Sequence, residues 1–155
     1  MRIKVYKLAF LCALKCNSYC CSAGCVSTRR VVMQRLLLNK LLKWKAQSGR
    51  KPLLIDGARQ TGKTYLLQSL LGSKFDRTLR IDFLESPEMA EAFAGSLTPA
   101  DIISNIELLT GEEFEPTTNL LILDEIGECP RAVTSLKYFA EKAPQMYIAA
   151  SGSNI

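Results

Sequence analysis

The chain has 155 residues, 48% of them hydrophobic and 23% charged, which is typical of a single globular domain with its own core. No apolar run approaches the roughly 18 residues that a membrane-spanning helix needs, so no membrane association is predicted. The formal net charge is +5, but residues 1–32 carry six basic and no acidic side chains, whereas residues 33–155 carry 14 basic and 15 acidic ones. Direct nucleic-acid binding by this body is therefore not predicted.

The N-terminal segment, residues 1–32, holds five of the six cysteines. It allows three functional interpretations: a signal peptide with the apolar run LAFLCAL, a lipoprotein cleavage site at Cys25, and a cysteine metal site. Lys15 interrupts the apolar run, Ser22 stands where a lipoprotein signal has an apolar residue, and the cysteine steps of four lack C-x-x-C spacing. We therefore favour a Cys-rich, basic segment translated from a misplaced start, with the domain comprising residues 33–155.

The body of the chain has only Cys129 and no histidine, which favours a cytoplasmic protein without zinc chemistry. Its first predicted element is an amphipathic helix that ends at Ser48-Gly49. The core-facing side chains of this helix recur at helical spacing: Leu37, Leu38, Leu41, Leu42 and Trp44.

The stretch GARQTGKT, residues 57–64, matches G-x-x-x-x-G-K-[ST], the Walker A pattern of a phosphate-binding loop. A short apolar strand, residues 52–56, precedes it, and a helix over residues 64–71 with Gly72 as its stop is predicted to follow. In that context the glycines let successive N–H groups converge on one anion. The alternative is a glycine-rich turn that binds nothing. The predicted nucleotide-binding residues are Gly57, Ala58, Arg59, Gln60, Thr61, Gly62, Lys63, Thr64 and Tyr65.

Three elements are predicted between this loop and the next motif. Residues 78–83 favour a strand, and Ser86-Pro87 favours the start of a helix through Phe93, with Ser86 as its cap. Thr98 followed three residues later by Asp101 predicts a capped helix through Leu109.

The second half of the predicted site is the apolar strand NLLILDE, residues 119–125, which carries two carboxylates at its C-terminal end. Ligands bind at those ends of strands in open α/β sheets. Asp124, together with Thr64, is predicted to hold Mg²⁺, and Glu125 to polarise the attacking water as the catalytic residue. The alternative is that both carboxylates cap the next helix, but that helix is predicted to start near Pro130.

The last predicted strand is residues 146–150, followed by a polar tip. Ser151, Ser153 or Asn154 could sense the γ-phosphate if this strand neighbours the two motif strands. Ordinary turn residues are an equally good interpretation of the tip.

From Met33 onward the chain resembles a family of bacterial and archaeal AAA+-type P-loop ATPases. The strings GARQTGKT and LDEIGECPRA carry the resemblance most specifically, although many relatives have glutamine where Gly127 stands. The resemblance implies a P-loop NTPase three-layer α/β sandwich with a mainly parallel sheet. It also implies ATP and Mg²⁺ as cofactors, and a homo-oligomer or partner protein. Relatives continue into a C-terminal domain of unknown function, so a truncated, incomplete sheet is expected.

Three functions follow as alternatives. The first is an ATPase core that hydrolyses Mg·ATP, with missing segments or a partner subunit needed for full activity. The second is a nucleotide-dependent switch that hydrolyses slowly or not at all. The third is a non-functional fragment of a larger ATPase.

Overall fold

The computed structural model of the chain describes residues 2–5, 37–58 and 61–153. Five strands alternate with helices along it, as an α/β fold requires. The strands are β1 (Arg2–Val5), β2 (Leu53–Gly57), β3 (Thr78–Asp82), β4 (Leu120–Asp124) and β5 (Tyr147–Gly152). The α-helices are α1 (37–46), α2 (Lys63–Tyr65), α3 (Pro99–Thr110) and α4 (Pro130–Lys142). Shorter helical segments cover Leu66–Leu71, Gly72–Lys74, Pro87–Phe93 and Ile126–Glu128.

The strands form one sheet in the order β1-β2-β5-β4-β3, and every neighbouring pair is parallel. The last strand, β5, therefore lies between β2 and β4, with Ile55 opposite Ser151 and Leu123 opposite Ala150. This order brings the carboxyl ends of β2, β5 and β4 side by side. The predicted P-loop NTPase-like α/β fold is confirmed.

Helices cover both faces of the sheet, and the alternation of side chains along each strand divides the core in two. In β4, Leu121 and Leu123 pack with α3 and α4, whereas Leu120 and Ile122 pack with α1 and with the helix after the loop. All of β4 is buried. Its unbroken apolar run thus reflects a strand covered on both sides.

β3 is buried on one face only. Leu79 and Ile81 join the core beside α3 and α4. Its other face carries Thr78, Arg80 and Asp82, and no β3 residue belongs to the core cluster beside α1. A polar face at the edge of the sheet therefore points to the same side as the loop helix.

Several predicted details of the helices are wrong. The helix after the loop does not stop at Gly72, which has helical φ and ψ, but runs on to Lys74. Ser86 makes no capping hydrogen bond, and Pro87–Phe93 is a 3₁₀-helix. Leu42 is 36% exposed instead of facing the core, in contrast to Leu41 and Trp44, which are buried.

The capped helix predicted after Thr98 is confirmed as α3. The Thr98 side chain accepts a hydrogen bond from the backbone N–H of Asp101, and its hydroxyl donates to the Asp101 carboxylate at 2.6 Å. The helix ends at Gly111 in a left-handed conformation, as glycine permits.

The N-terminal segment enters the described structure only as β1, which pairs with β2 at the edge of the sheet. Residues 6–36 lie outside the described part, so the domain boundary at residue 33 stays a prediction. Among the described helices, none is both long and apolar enough to cross a membrane.

Candidate functional site

The loop between β2 and α2 closes on itself through side chains of its own. Gly62 has φ 81° and ψ 27°, a left-handed conformation that glycine adopts without strain. The buried Thr61 hydroxyl donates to the carbonyl of Ala58 at 2.8 Å. Of the predicted loop residues, Arg59 and Gln60 lie outside the described residues.

Lys63 begins α2 and folds back over the loop, with only 4% of its side chain exposed. Its ammonium donates to the carbonyls of Gly57 at 2.9 Å and Ala58 at 3.0 Å, and to the Ser153 hydroxyl at 3.2 Å. The Glu125 carboxylate lies 3.9 Å away. The charge of this buried lysine is thus balanced inside the protein.

Asp124, at the tip of β4, is 2% exposed and accepts hydrogen bonds at both oxygens. Oδ1 accepts from the Ser151 hydroxyl and from the Glu125 backbone N–H. Oδ2 accepts from the Thr64 hydroxyl at 2.7 Å and from Arg80. Burial alone would raise the pKa of Asp124, but the hydrogen bonds from Ser151, Thr64 and Arg80 outweigh it and lower the pKa below its ordinary value. Asp124 is therefore held as a carboxylate.

Glu125 points away from Asp124 because its backbone turns into the left-handed region, with φ 48° and ψ 47°. Its carboxylate accepts hydrogen bonds from the backbone N–H and the hydroxyl of Ser153, both at 3.2 Å. Adjacent carboxylates in the chain thus face different surroundings, which allows them different roles.

The two serines at the C-terminal end of β5 contact different carboxylates. Ser151, buried inside the strand, contacts Asp124, and Ser153 contacts Glu125 and Lys63. Apart from Arg59 and Gln60, which are not described, the predicted site residues therefore meet at one edge of the sheet, and Tyr65 is 48% exposed there. A sensor role for either serine stays a prediction, and Asn154 lies outside the described residues.

Arg80 is a member of this cluster that the sequence pattern did not single out. Its Nε and Nη2 lie 3.1 Å and 3.0 Å from Asp124 Oδ2, and it also pairs with Asp82 and Glu85. The one signal was a cationic residue on the polar face of an alternating strand, TLRIDF. Arg131, by contrast, donates to the carbonyls of Phe93 and Gly95 and so ties α4 to the end of the 3₁₀-helix Pro87–Phe93.

The oxygen atoms at this site suit a metal ion that is bound partly by the protein and partly by a nucleotide. Within the described residues there is no group of three or more carboxylate, cysteine or histidine side chains that could hold a metal ion alone. One hydroxyl, Thr64, and one carboxylate, Asp124, converge instead. Mg²⁺ typically binds one or two protein oxygens together with phosphates and waters, so these residues fit it.

In a comparison with protein families, a family model described as an AAA domain, AAA_14, matches residues 49–155. The matched range contains the loop, both carboxylates and both serines. No curated protein and no solved structure matches the chain.

Proposed function

The chain belongs to the AAA-domain family, and on that premise we propose that it binds Mg·ATP and hydrolyses it. The observation that carries the proposal is the 2.7 Å hydrogen bond between Thr64 and Asp124. These residues come from separate motifs on β4 and α2, and a hydroxyl paired with a carboxylate beside a phosphate-binding loop is the protein half of a Mg²⁺ site.

The contacts of Lys63 support binding of the terminal phosphates. Its ammonium now rests on carbonyls of the loop itself. Phosphate oxygens are stronger acceptors for a cation than neutral carbonyls are. We expect Lys63 to exchange these carbonyls for phosphate when nucleotide binds.

Glu125 is our candidate for orienting the attacking water. Its partly exposed carboxylate lies beside both Lys63 and the tip of β5. Bound Mg²⁺, held by Thr64 and Asp124, would supply charge stabilisation of the phosphates. The cysteine-poor, histidine-free body supports a cytoplasmic location for this activity.

Calorimetric titration of Mg·ATP into the full chain tests the binding step. We expect a dissociation constant on the order of micromolar, corresponding to about −8 kcal/mol, which Lys63→Ala abolishes. Lys43→Ala is the matched control, because it removes an exposed lysine of α1. If the folded wild-type chain shows no heat of binding, the proposed function is wrong.

A nucleotide-dependent switch is the second candidate, favoured by the contacts that occupy Glu125. Ser153 and Lys63 engage its carboxylate, so water has restricted access in this state. Glu125→Gln separates the two functions: single-turnover hydrolysis should fall sharply in an ATPase and change little in a switch. Arg131 is engaged by the carbonyls of Phe93 and Gly95. We therefore look to a partner subunit for the arginine that gives a roughly 10³–10⁵-fold acceleration in such enzymes.

A further inference from the structure

Arg80 occupies the oxygen of Asp124 that faces Thr64. Two of its nitrogens, Nε and Nη2, donate to Oδ2, and the Thr64 hydroxyl donates to the same atom. Two guanidinium N–H groups thus share one carboxylate oxygen, and such hydrogen bonds are strong because both partners are charged. The guanidinium therefore stands where a cation bound by Thr64 and Asp124 would make its own contact.

We propose that Arg80 is the internal counter-ion of Asp124 in the nucleotide-free protein and that it competes with the divalent cation for Oδ2. The inference rests on the proposed function, because it assumes that Thr64 and Asp124 hold a metal. Arg80 acts through Asp124, so it is a positioning residue and not a catalytic one.

Arg80 offsets part of the negative charge of the carboxylates around it. Four carboxylates, those of Asp82, Glu85, Asp124 and Glu125, lie within one network with only two cationic side chains, Lys63 and Arg80. The network has a formal charge of minus two. Without Arg80 it would be minus three, and the buried Asp124 would lose the one ion-pair partner that it has within the described part of the chain.

Arg80 has other carboxylate partners that it can keep when a metal ion binds Asp124. Nη2 already contacts Asp82, and Nη1 lies 3.4 Å from Glu85, whose side chain is largely exposed. Arg80 itself is 25% exposed on the polar face of β3. The guanidinium can leave Oδ2 while it keeps two carboxylate partners, so its charge stays paired after release from Asp124.

The competition makes metal binding depend on nucleotide. A free divalent cation must displace Arg80 with the help of only Thr64 and Asp124, whereas a cation that arrives with ATP brings phosphate ligands of its own. The protein should consequently bind the metal weakly by itself and firmly as the metal–nucleotide complex.

The test is Mn²⁺ binding to the full chain, measured by electron paramagnetic resonance without nucleotide and, in parallel, with ATP. Arg80→Met removes the charge and keeps much of the aliphatic stem. We expect it to bind free Mn²⁺ at least about tenfold more tightly than wild type, because a repelling charge beside the ligand is gone. Arg77→Ala is the matched control, since it removes an exposed arginine that pairs with Glu112, just before the same strand.

Equal or weaker Mn²⁺ binding by Arg80→Met, with Arg77→Ala unchanged, overturns the inference, and a purely structural role for Arg80 predicts that result. If Arg80→Met does not fold, Arg80→Lys carries the test. Lysine keeps the charge but cannot make the two-nitrogen contact, so Mn²⁺ affinity should rise by about threefold, and an unchanged affinity overturns the inference.

The parallel titration with ATP separates the two proposals. If wild type takes up Mn·ATP and Arg80→Met matches it in free Mn²⁺ affinity, only the inference about Arg80 fails. If wild type takes up no Mn·ATP, the proposed function fails and the inference falls with it.

Discussion

Glu125 adopts a backbone conformation that residues other than glycine rarely take. It is the only non-glycine residue with positive φ in the described part of the chain. Such a conformation costs roughly 1–2 kcal/mol and persists where the surrounding contacts enforce it. This conformation directs the Glu125 carboxylate towards Ser153 and Lys63 instead of along β4.

Glu125→Gly should therefore unfold at higher urea concentration than Glu125→Ala. Both substitutions delete the carboxylate and its hydrogen bonds, but only glycine relieves the left-handed strain. We expect a difference of about 1 kcal/mol in the free energy of unfolding.

The same pair of substitutions at Glu128 provides the control. Glu128 lies in the next short helix and its φ is not positive. Alanine should equal or exceed glycine in stability there. If glycine is favoured equally at both positions, the strain at Glu125 is not the cause.

Site residues that belong to a local motif could be predicted from the sequence, and residues recruited across the sheet could not. The glycine loop with Lys63, and the acidic tip with Asp124, each appear as a strand followed by characteristic residues. Arg80 was not predicted as a site residue, because nothing in TLRIDF indicates which strand will lie beside it. Its role depends on the pairing of Asp82 with Asp124, which is a property of the sheet.

At the scale of elements, the helix after the loop packs closely on β3. Gly72 is buried, and a β-carbon there would lie 2.9 Å from the Thr78 hydroxyl oxygen. Its helical φ and ψ mean that alanine would meet no backbone strain. Glycine at this position serves close approach and not a left-handed turn, which is why its predicted role as a helix stop was wrong.

Gly72→Ala should destabilise the protein by about 1 kcal/mol, since overpacking outweighs the better helix propensity of alanine. Urea unfolding measures the change. Gly95→Ala is the control, because its added β-carbon would meet nothing within 4 Å. In a double-mutant cycle, Thr78→Ala should remove the penalty of Gly72→Ala; an unchanged penalty would mean that the contact is not responsible.

The first turn of α3 gives a pH-dependent prediction. Hydrogen bonds from Ser96 and Thr98 lower the pKa of Asp101. A carboxyl whose pKa is depressed in the folded state contributes its stability fully above the unfolded pKa, about 3.9, and loses it as the pH falls through the folded pKa. Asp101→Asn should thus destabilise the protein at pH 7 and have a much smaller effect at a pH well below the unfolded pKa, where the carboxyl is protonated in both states.

Unfolding of wild type and Asp101→Asn by urea at the two pH values checks this. Glu113→Gln, at an exposed position after the same helix, controls for general charge effects. An Asp101→Asn effect that is the same at both pH values would contradict a role for the ionised carboxyl in the cap.

At the scale of the whole molecule, the predicted alternation of strands and helices is confirmed, but strand order had to come from the structure. Apolar runs such as LLILD indicate burial on both faces, yet carry no information about neighbours. The insertion of β5 between β2 and β4 is what places Ser151 and Ser153 beside the two carboxylates. From the sequence, a role for these serines could be predicted only if the last strand lay beside the two motif strands.

Removal of residues 1–32 tests the predicted domain boundary. The described members of both core clusters all lie at or beyond Leu37, so we expect the chain 33–155 to keep its far-ultraviolet circular dichroism and a cooperative unfolding transition. Loss of β1 leaves β2 as an unpaired edge, which favours association through that edge. We therefore expect more dimer than in the full chain by analytical ultracentrifugation. An unfolded 33–155 chain would contradict the boundary.

The position of β5 also determines when the site can assemble during synthesis on the ribosome. Until residues 147–152 emerge, β2 has no partner on the side of β4, and the loop and the acidic tip belong to unjoined halves. Until β5 is made, apolar strand faces in both halves stay uncovered, at a stage when nascent chains are prone to aggregate. A chaperone that holds the nascent chain should therefore be released only after β5 is available, and ribosome-stalled chains that end before residue 147 should not be retained on immobilised ATP.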